Sequence, residues 1–385
     1  MNRFQEILAD RHAYAEGWKE RSGGVVFGFY ETYMPEEIVY AAGILPVRLL
    51  AGHEPDDLTD RQMYGNCYAT KDILNQFLSG RYSYIDGLVY AEGCQWFFLL
   101  HRNLTNNNPD LFDHYVFVPD YPDARTSKTA LRSELQVFKA HVEEWTGREI
   151  TEAALDDAIE VYNKNRRLLR RLYELRKADN TPILGSEAMD VMLACQVMDK
   201  REANELLEDF LIELEGRESY ADRIRVMLIG SETWDTLLEG LIEDSGGNVV
   251  VDEFDNGTSY VLNEVVPQKD RLLALALRYL ERPHHAIKDN NWRRRPEHIF
   301  KLYEDWQADC VIIAKQIYCH PHGTDNYAVW KMLRERNIPF HYFERDTTLP
   351  EAEAGAHIGG LLALVKPGVN RLAGLGNTGE FSTVI

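Results

Sequence analysis

The stretches Asp86-Gly87-Leu88-Val89-Tyr90-Ala91-Glu92-Gly93-Cys94 and Asp309-Cys310-Val311-Ile312-Ile313-Ala314-Lys315-Gln316-Ile317-Tyr318-Cys319 share one pattern. Each is a short apolar run, a small polar break, and a cysteine placed just ahead of a helix-like segment. A continuous apolar run of four to eight residues reads as a strand buried on both faces, which is the habit of parallel sheets. Ligands of open α/β sheets gather at the carboxyl ends of such strands, where the loops carry no packing duty and helix N-termini point outward. Cys94 and Cys319 therefore occupy ligand positions.

Upstream of the first stretch, Gly23-Gly24-Val25-Val26-Phe27-Gly28-Phe29 reads as a strand. It turns at Pro35 into a helix, Glu36 to Ala42, with Gly43 just past its end. A short apolar segment Pro46 to Leu50, a helical stretch from Cys67 to Leu78, a helical run from Gln95 to Leu104 and a strand from His114 to Pro119 complete an alternating strand and helix pattern. Around the second stretch the same alternation returns. Ile224 to Ser231, Gly246 to Asp252 and Ile338 to Phe343 read as strands, with helices from Trp234 to Glu243 and from Asn326 to Arg336. Between about Ser127 and Arg223 the apolar positions fall three and four apart, as in Ala154-Leu155, Ala158-Ile159, Tyr162, so that stretch is helical throughout. The expected fold is α/β, two parallel-sheet domains of the flavodoxin or Rossmann kind with an intervening helical domain. The expected boundaries are 1–126, 127–223 and 224–385.

Composition narrows the function classes. With 385 residues, 45 % of them hydrophobic, the chain has ample apolar surface for large cores. Its 42 basic against 62 acidic residues give a net charge of −20, which repels phosphate backbones and anionic headgroups, so neither nucleic acid nor a membrane is an expected partner. No apolar run of eighteen residues occurs and the opening Met1-Asn2-Arg3-Phe4-Gln5-Glu6 leads into a charged helical stretch, so a cytoplasmic location is expected. No G-x-x-x-x-G-K-[ST] loop and no strand-linked G-x-G-x-x-G occurs, so ATP is not expected to bind through a P-loop.

Five cysteines, Cys67, Cys94, Cys195, Cys310 and Cys319, are too scattered and too odd in number for a disulfide framework. Cys310 inside an apolar strand and Cys195 inside a helical run read as core. Cys67 follows Gly65-Asn66 at a helix start, where a thiol is more easily ionised. Cys67, Cys94 and Cys319 could converge as thiolate ligands of an iron–sulfur cluster with one iron left open. Two other readings remain: small buried hydrophobes, or a zinc site that recruits His320 and His322. The basic run Trp292-Arg293-Arg294-Arg295 reads as a solvated helix start before Pro296. The pairs Arg166-Arg167 and Arg170-Arg171 are expected to face solvent or acidic helix neighbours.

The run from Gly28-Phe29-Tyr30-Glu31-Thr32-Tyr33-Met34-Pro35 through Ala41-Ala42-Gly43-Ile44-Leu45-Pro46-Val47-Arg48-Leu49 resembles the opening signature of the 2-hydroxyacyl-CoA dehydratase and ATP-dependent benzoyl-CoA reductase superfamily. Gly80-Arg81-Tyr82, Asp86 to Val89, Arg225 to Ser231 and Gly247 to Glu253 extend the similarity over nearly the whole chain. The helical insert, with Gly147 to Thr151 and Val161 to Arg167, is most similar to the smaller substrate-side subunit type of the reductases. Two features depart from the usual pattern. Gln95 and Trp96 follow Cys94 where an acidic residue is usual, and Asp255-Asn256-Gly257 stands in place of a cysteine-bearing segment.

The resemblance implies a [4Fe-4S] cluster on Cys67, Cys94 and Cys319. It implies a paralogous substrate-side subunit, and a separate ATP-hydrolysing iron–sulfur activator that supplies low-potential electrons. The implied substrate is an aromatic acyl-CoA thioester, with a 2-hydroxyacyl-CoA as the dehydratase alternative. An electron-relay subunit without its own substrate site and a metal-free assembly subunit are the competing roles. Polar residues on the strand-end loops are the candidate acids: Tyr30, Glu31, Tyr33, Glu92, Gln95, Ser231, Glu232, Gln316, His320 and His322. His320 leads as proton donor because an unperturbed imidazole titrates near neutrality, with Glu92 and Tyr33 beside it.

Overall fold

The computed structural model describes residues 1–52, 59, 63, 67–283, 285–288, 294–345 and 351–365. Its frame is two four-stranded sheets, every strand pair parallel. The first contains β1 (Val25–Phe29), β2 (Ile44–Arg48), β3 (Gly87–Ala91) and β4 (Phe112–Val116) in the order β2-β1-β3-β4. The second contains β5 (Ile224–Gly230), β6 (Gly247–Glu253), β7 (Cys310–Gln316) and β8 (Phe340–Arg345) in the equivalent order β6-β5-β7-β8. The α/β architecture with two parallel sheets is thus as the apolar runs required. In both sheets the winding direction reverses beside the first strand, between β1 and β3 and between β5 and β7. That reversal parts the following loops and opens a crevice at the strands' carboxyl ends.

Helices cover the sheets. α1 (Arg3–Ala9) and α2 (Arg11–Ser22) precede the first sheet, whose connections hold α3 (Glu36–Ala41), α4 (Tyr68–Leu78) and α5 (Gln95–Asn107). Next come α6 (Ser127–Thr146), α7 (Glu152–Leu175), α8 (Gly185–Cys195) and α9 (Lys200–Glu215), with no strand between them among the described residues. α6 ends where Gly147 adopts φ +64°, a left-handed geometry that a Cβ would penalise. α6 packs on β4, α7 on α3 and α9, and α8 on both α1 and β6, so the helical stretch touches both sheets. Along the second half follow α10 (Leu237–Asp244), α11 (Thr258–Val261), α12 (Arg271–Glu281), α13 (Arg295–Asp305), α14 (His320–Glu335) and α15 (Glu351–Val365), of which α12 packs back on α6 and the core of the first sheet. Residues from both sheets and from α7, α8 and α9 belong to one continuous apolar core.

Two local expectations are corrected. α14 starts at His320 rather than Asn326, because Pro321 is tolerated in a first turn whose N–H groups need no helical partner. Arg295 is fully buried rather than solvated. It is ion-paired with Glu253 at the end of β6 and with Asp325 of α14, partners far away in sequence that solvate the guanidinium internally. Trp292 and Arg293 of the same run lie outside the described residues. Arg166 is likewise buried, against Glu37 at 2.5 Å, whereas Arg167, Arg170 and Arg171 meet Glu264 and Glu215 nearer the surface.

Candidate metal centre

Three helices begin at a cysteine. Cys67 is the N-cap of α4, Cys94 of α5 and Cys319 of α14, and none of the three side chains caps its own helix. An N-cap normally uses Ser, Thr, Asp or Asn, whose oxygen takes up the free N–H groups. A thiol is only a weak acceptor in that position. All three line one narrow pocket where the carboxyl edges of the two sheets meet, with Glu31, Ser231, Glu232 and Gln316 around them and Trp96, Phe97 and Ile287 as the apolar wall. Cys195 and Cys310 are fully buried in α8 and β7 and lie outside that lining.

The elements explain the convergence. β1 and β3 deliver Glu31 and Cys94 from either side of the first crevice. β5 and β7 deliver Ser231, Glu232, Gln316 and Cys319 from the second. Glu31 accepts from the Cys94 backbone N–H at 2.9 Å, and Gly93 makes this possible, because a Cβ there would collide with the Glu31 carboxylate. The Cys67 thiol donates to Gln316 Oε1 at 3.0 Å, joining the two halves. On the outer side Trp96 Nε1 donates to the Tyr318 carbonyl at 3.0 Å, and Tyr318 holds φ +65°, a strained left-handed conformation for a tyrosine immediately before Cys319.

Charge around the pocket is dense and buried. Arg48, at the end of β2 and wholly enclosed, reaches Asp255 at 2.7 Å and Glu232 at 3.3 Å. Asp255 also accepts from the Thr32 hydroxyl at 2.7 Å. Burial alone would raise the Asp255 carboxyl, but Arg48 with His285 and Arg282 holds it well below the usual range. Burial drives Glu232 up to about 7 despite Arg48, and drives Glu31 well above the ordinary carboxyl value, with Asp255 adding to the rise.

The thiols are pushed the same way. Burial raises Cys67, Cys94 and Cys319, and the neighbouring sulfurs add to the rise for Cys67 and Cys94. Backbone N–H groups of Ala69 and Thr70, of Trp96 and of His322 face the three sulfurs and oppose that rise.

Thiolates sharing a single zinc ion at about 2.3 Å stand only about 4 Å apart. Among the described residues no three His, Cys, Asp or Glu side chains converge on one ion in this way. His320 is exposed with its ring edge-on to Trp96, and the His322 ring lies against His285, 5.1 Å between centroids. Three thiols line one pocket, each at a helix N-terminus that stabilises negative charge, and thiolates are the donors that hold iron–sulfur clusters.

Of the expected acids, Glu31, Ser231, Glu232 and Gln316 are brought to the pocket. Tyr33 is packed under the Arg282 guanidinium, 3.8 Å from its ring, and Glu92 lies toward Lys288 at 3.8 Å and Tyr115. Neither they nor His320 line the pocket, although His320 stands at its rim through Trp96. Sequence reading missed Asp255 in the pocket wall and Arg48 behind it. The one signal in the sequence was Asp255-Asn256-Gly257 following a buried strand.

Comparison with known proteins adds a family. Residues 31–356 match the family described as 2-hydroxyglutaryl-CoA dehydratase, D-component. The chain is 26 % identical to one of the subunits of benzoyl-CoA reductase from Thauera aromatica, over 86 % of this chain and 88 % of that one. It is 23 % identical to the (R)-phenyllactyl-CoA dehydratase beta subunit of Clostridium sporogenes, over 91 % and 94 %. To the beta subunit of (R)-2-hydroxyglutaryl-CoA dehydratase from Acidaminococcus fermentans it is also 23 % identical, over 87 % and 90 %.

Proposed function

The chain belongs to the 2-hydroxyglutaryl-CoA dehydratase D-component family, and on that footing we propose that it is the [4Fe-4S]-bearing subunit of an ATP-dependent benzoyl-CoA reductase type of enzyme, with Cys67, Cys94 and Cys319 as the ligands. The observation that carries this reading is the meeting of three N-cap cysteines in one pocket between two parallel sheets. Such a cluster supplies single electrons at low potential when bound.

The chain's own residues do the rest. Trp96, Phe97 and Ile287 exclude water from the pocket, which strengthens every electrostatic interaction within it. Arg48 holds Asp255 and Glu232 in place and offsets part of their charge. Glu31 and Glu232, both enclosed, are the carboxyls positioned to hold a proton at the pocket wall. The partners of this reading are a paralogous subunit, an ATP-hydrolysing iron–sulfur activator and an aromatic acyl-CoA thioester.

A second reading, a subunit of a radical (R)-2-hydroxyacyl-CoA dehydratase, is favoured by the family match and by the two dehydratase beta subunits among the relatives. Among the described residues no helix is long and apolar enough to cross a membrane.

Anaerobic purification with iron and sulfide analysis tests the part the two readings share. The expected result is a brown protein with a broad band near about 400 nm from thiolate-held iron, and a colourless, iron-free protein overturns it. Assay of the assembled enzyme with benzoyl-CoA against a 2-hydroxyacyl-CoA, each with activator and ATP, separates the two. A His320→Ala variant is expected to keep turnover within about threefold, since a solvent-exposed rim residue falls well short of the roughly 10²-fold or more owed to a general acid.

A further inference from the structure

Gln316 ends β7, is fully buried, and touches the sulfur of a cysteine from the other half of the molecule, Cys67, at 3.0 Å. The neutral thiol donates to the amide oxygen, while Gln316 Nε2 donates to the Glu232 carbonyl at 3.1 Å. A thiolate has no proton to give. Once Cys67 is a metal ligand, an amide oxygen facing it meets a negative sulfur, and a half-turn of the amide presents an N–H instead. That turn takes the Nε2 donor from the Glu232 carbonyl and sets the amide oxygen opposite it, leaving Arg345 Nη2, at 3.4 Å, as the donor to that carbonyl. Around the next sulfur the pattern repeats. The Ser231 hydroxyl is enclosed, has no hydrogen-bond partner among the described residues, and lines the same pocket as Cys319. A hydroxyl rotates at little cost and is free to donate there.

We infer that Gln316 and Ser231 are positioning residues that donate hydrogen bonds to the ligand sulfurs of Cys67 and Cys319 and raise the reduction potential of the group those cysteines hold. This rests on the proposed [4Fe-4S] site and deepens it. A hydrogen bond at sulfur withdraws electron density and favours the more negatively charged, reduced state, so cluster potentials respond to such donors. The asymmetry is specific. Both side-chain donors come from the second half, whereas Cys94 faces the Glu31 carboxyl through its own backbone N–H. The second half therefore supplies both side-chain donors, one to a sulfur of the first half and one to its own.

The test uses the full chain, purified anaerobically with its cluster, as wild type, Gln316→Leu and Ser231→Ala. Midpoint potential is read by redox titration followed by electron paramagnetic resonance, and the iron–sulfur(cysteine) stretches by resonance Raman. The expected result is a lower midpoint and up-shifted stretches in each variant, at unchanged iron content. Wild type and variants that share one potential and one stretching pattern overturn the inference while leaving the cluster assignment standing. A wild type that carries no iron overturns the cluster assignment and the inference with it. Ser231→Ala decides alone if Gln316→Leu does not load iron, because removing a small hydroxyl leaves the β5 loop packing intact.

Discussion

The two sheets share one strand order and contribute unlike chemistry. In the first, the segment from β2 to α4 ends in Cys67, and the connection after β3 gives Cys94. In the second, the connection after β6 gives Asp255 where the first half has its route to a cysteine, and only the loop after β7 carries a sulfur. The second strands end on buried charges of opposite sign: Arg48 closes β2 and Glu253 closes β6. Arg48 crosses to acids of the second half, whereas Glu253 is answered within its own half by Arg295. One scaffold used twice thus yields a sulfur-rich half and a charge-rich half, and the site exists only where they meet.

The most severe challenge to this division of labour is to remove sulfurs from each side in turn. Cys319→Ala is expected to abolish bound iron as completely as Cys67→Ala or Cys94→Ala, although the second half supplies a single thiol. Iron and sulfide analysis of anaerobically prepared protein measures this, and a Cys319→Ala protein that kept its iron would mean the first half suffices.

Next in size are the two closing charges. Arg48→Met removes the guanidinium that Asp255 and Glu232 share, leaving Asp255 only Arg282 at 3.8 Å, and Arg295→Met removes the one shared by Glu253 and Asp325. Each is expected to cost about 3–5 kcal/mol, since breaking a buried pair strands its partner. Denaturant unfolding of both variants compares the halves directly, and a cost confined to Arg48 would show that only the charge spanning the halves matters.

A smaller effect belongs to the first half alone. His12 is 7 % exposed, hydrogen-bonded to Gln76 and Tyr84, and burial with Arg11 nearby lowers it to about 4. Its folded value lies below the unfolded one near 6.5, so the unfolded chain binds the extra proton and stability falls as pH drops through that window. About 2 kcal/mol is expected to go between about pH 7 and pH 5. His12→Gln should flatten that part of the stability profile, and an unchanged slope would remove the assignment. Smallest is Lys164→Ala, which breaks a half-exposed pair with Glu208 and should shift stability by less than about 1 kcal/mol in the same unfolding measurement.

The strands, with Cys94 and Cys319 just past their ends, were legible because they are local statements, an apolar run, then a cysteine, then a helix, whereas Cys67 joined them on a helix start and on the family resemblance. The start of α14 was harder, since His320-Pro321-His322-Gly323 looks like loop until the N-cap at Cys319 is placed. Arg295 and Arg166 were misread in exposure because what buries them, Glu253, Asp325 and Glu37, lies tens to more than a hundred positions away. Arg48 was quoted only as part of an opening signature, for the same reason. Nothing in Pro46-Val47-Arg48 announces that its charge is spent on Glu232 and Asp255, 184 and 207 positions further on.

Gln316 meets Cys67 across 249 positions of chain, and that span sets an order of events during synthesis. A ribosome emits the first two thiols early, and the last only after both the helical stretch and most of the second sheet have left the exit tunnel. Until then the early pair has no third corner, so on the proposed assignment the pocket that would receive iron is complete only after the second sheet has been made.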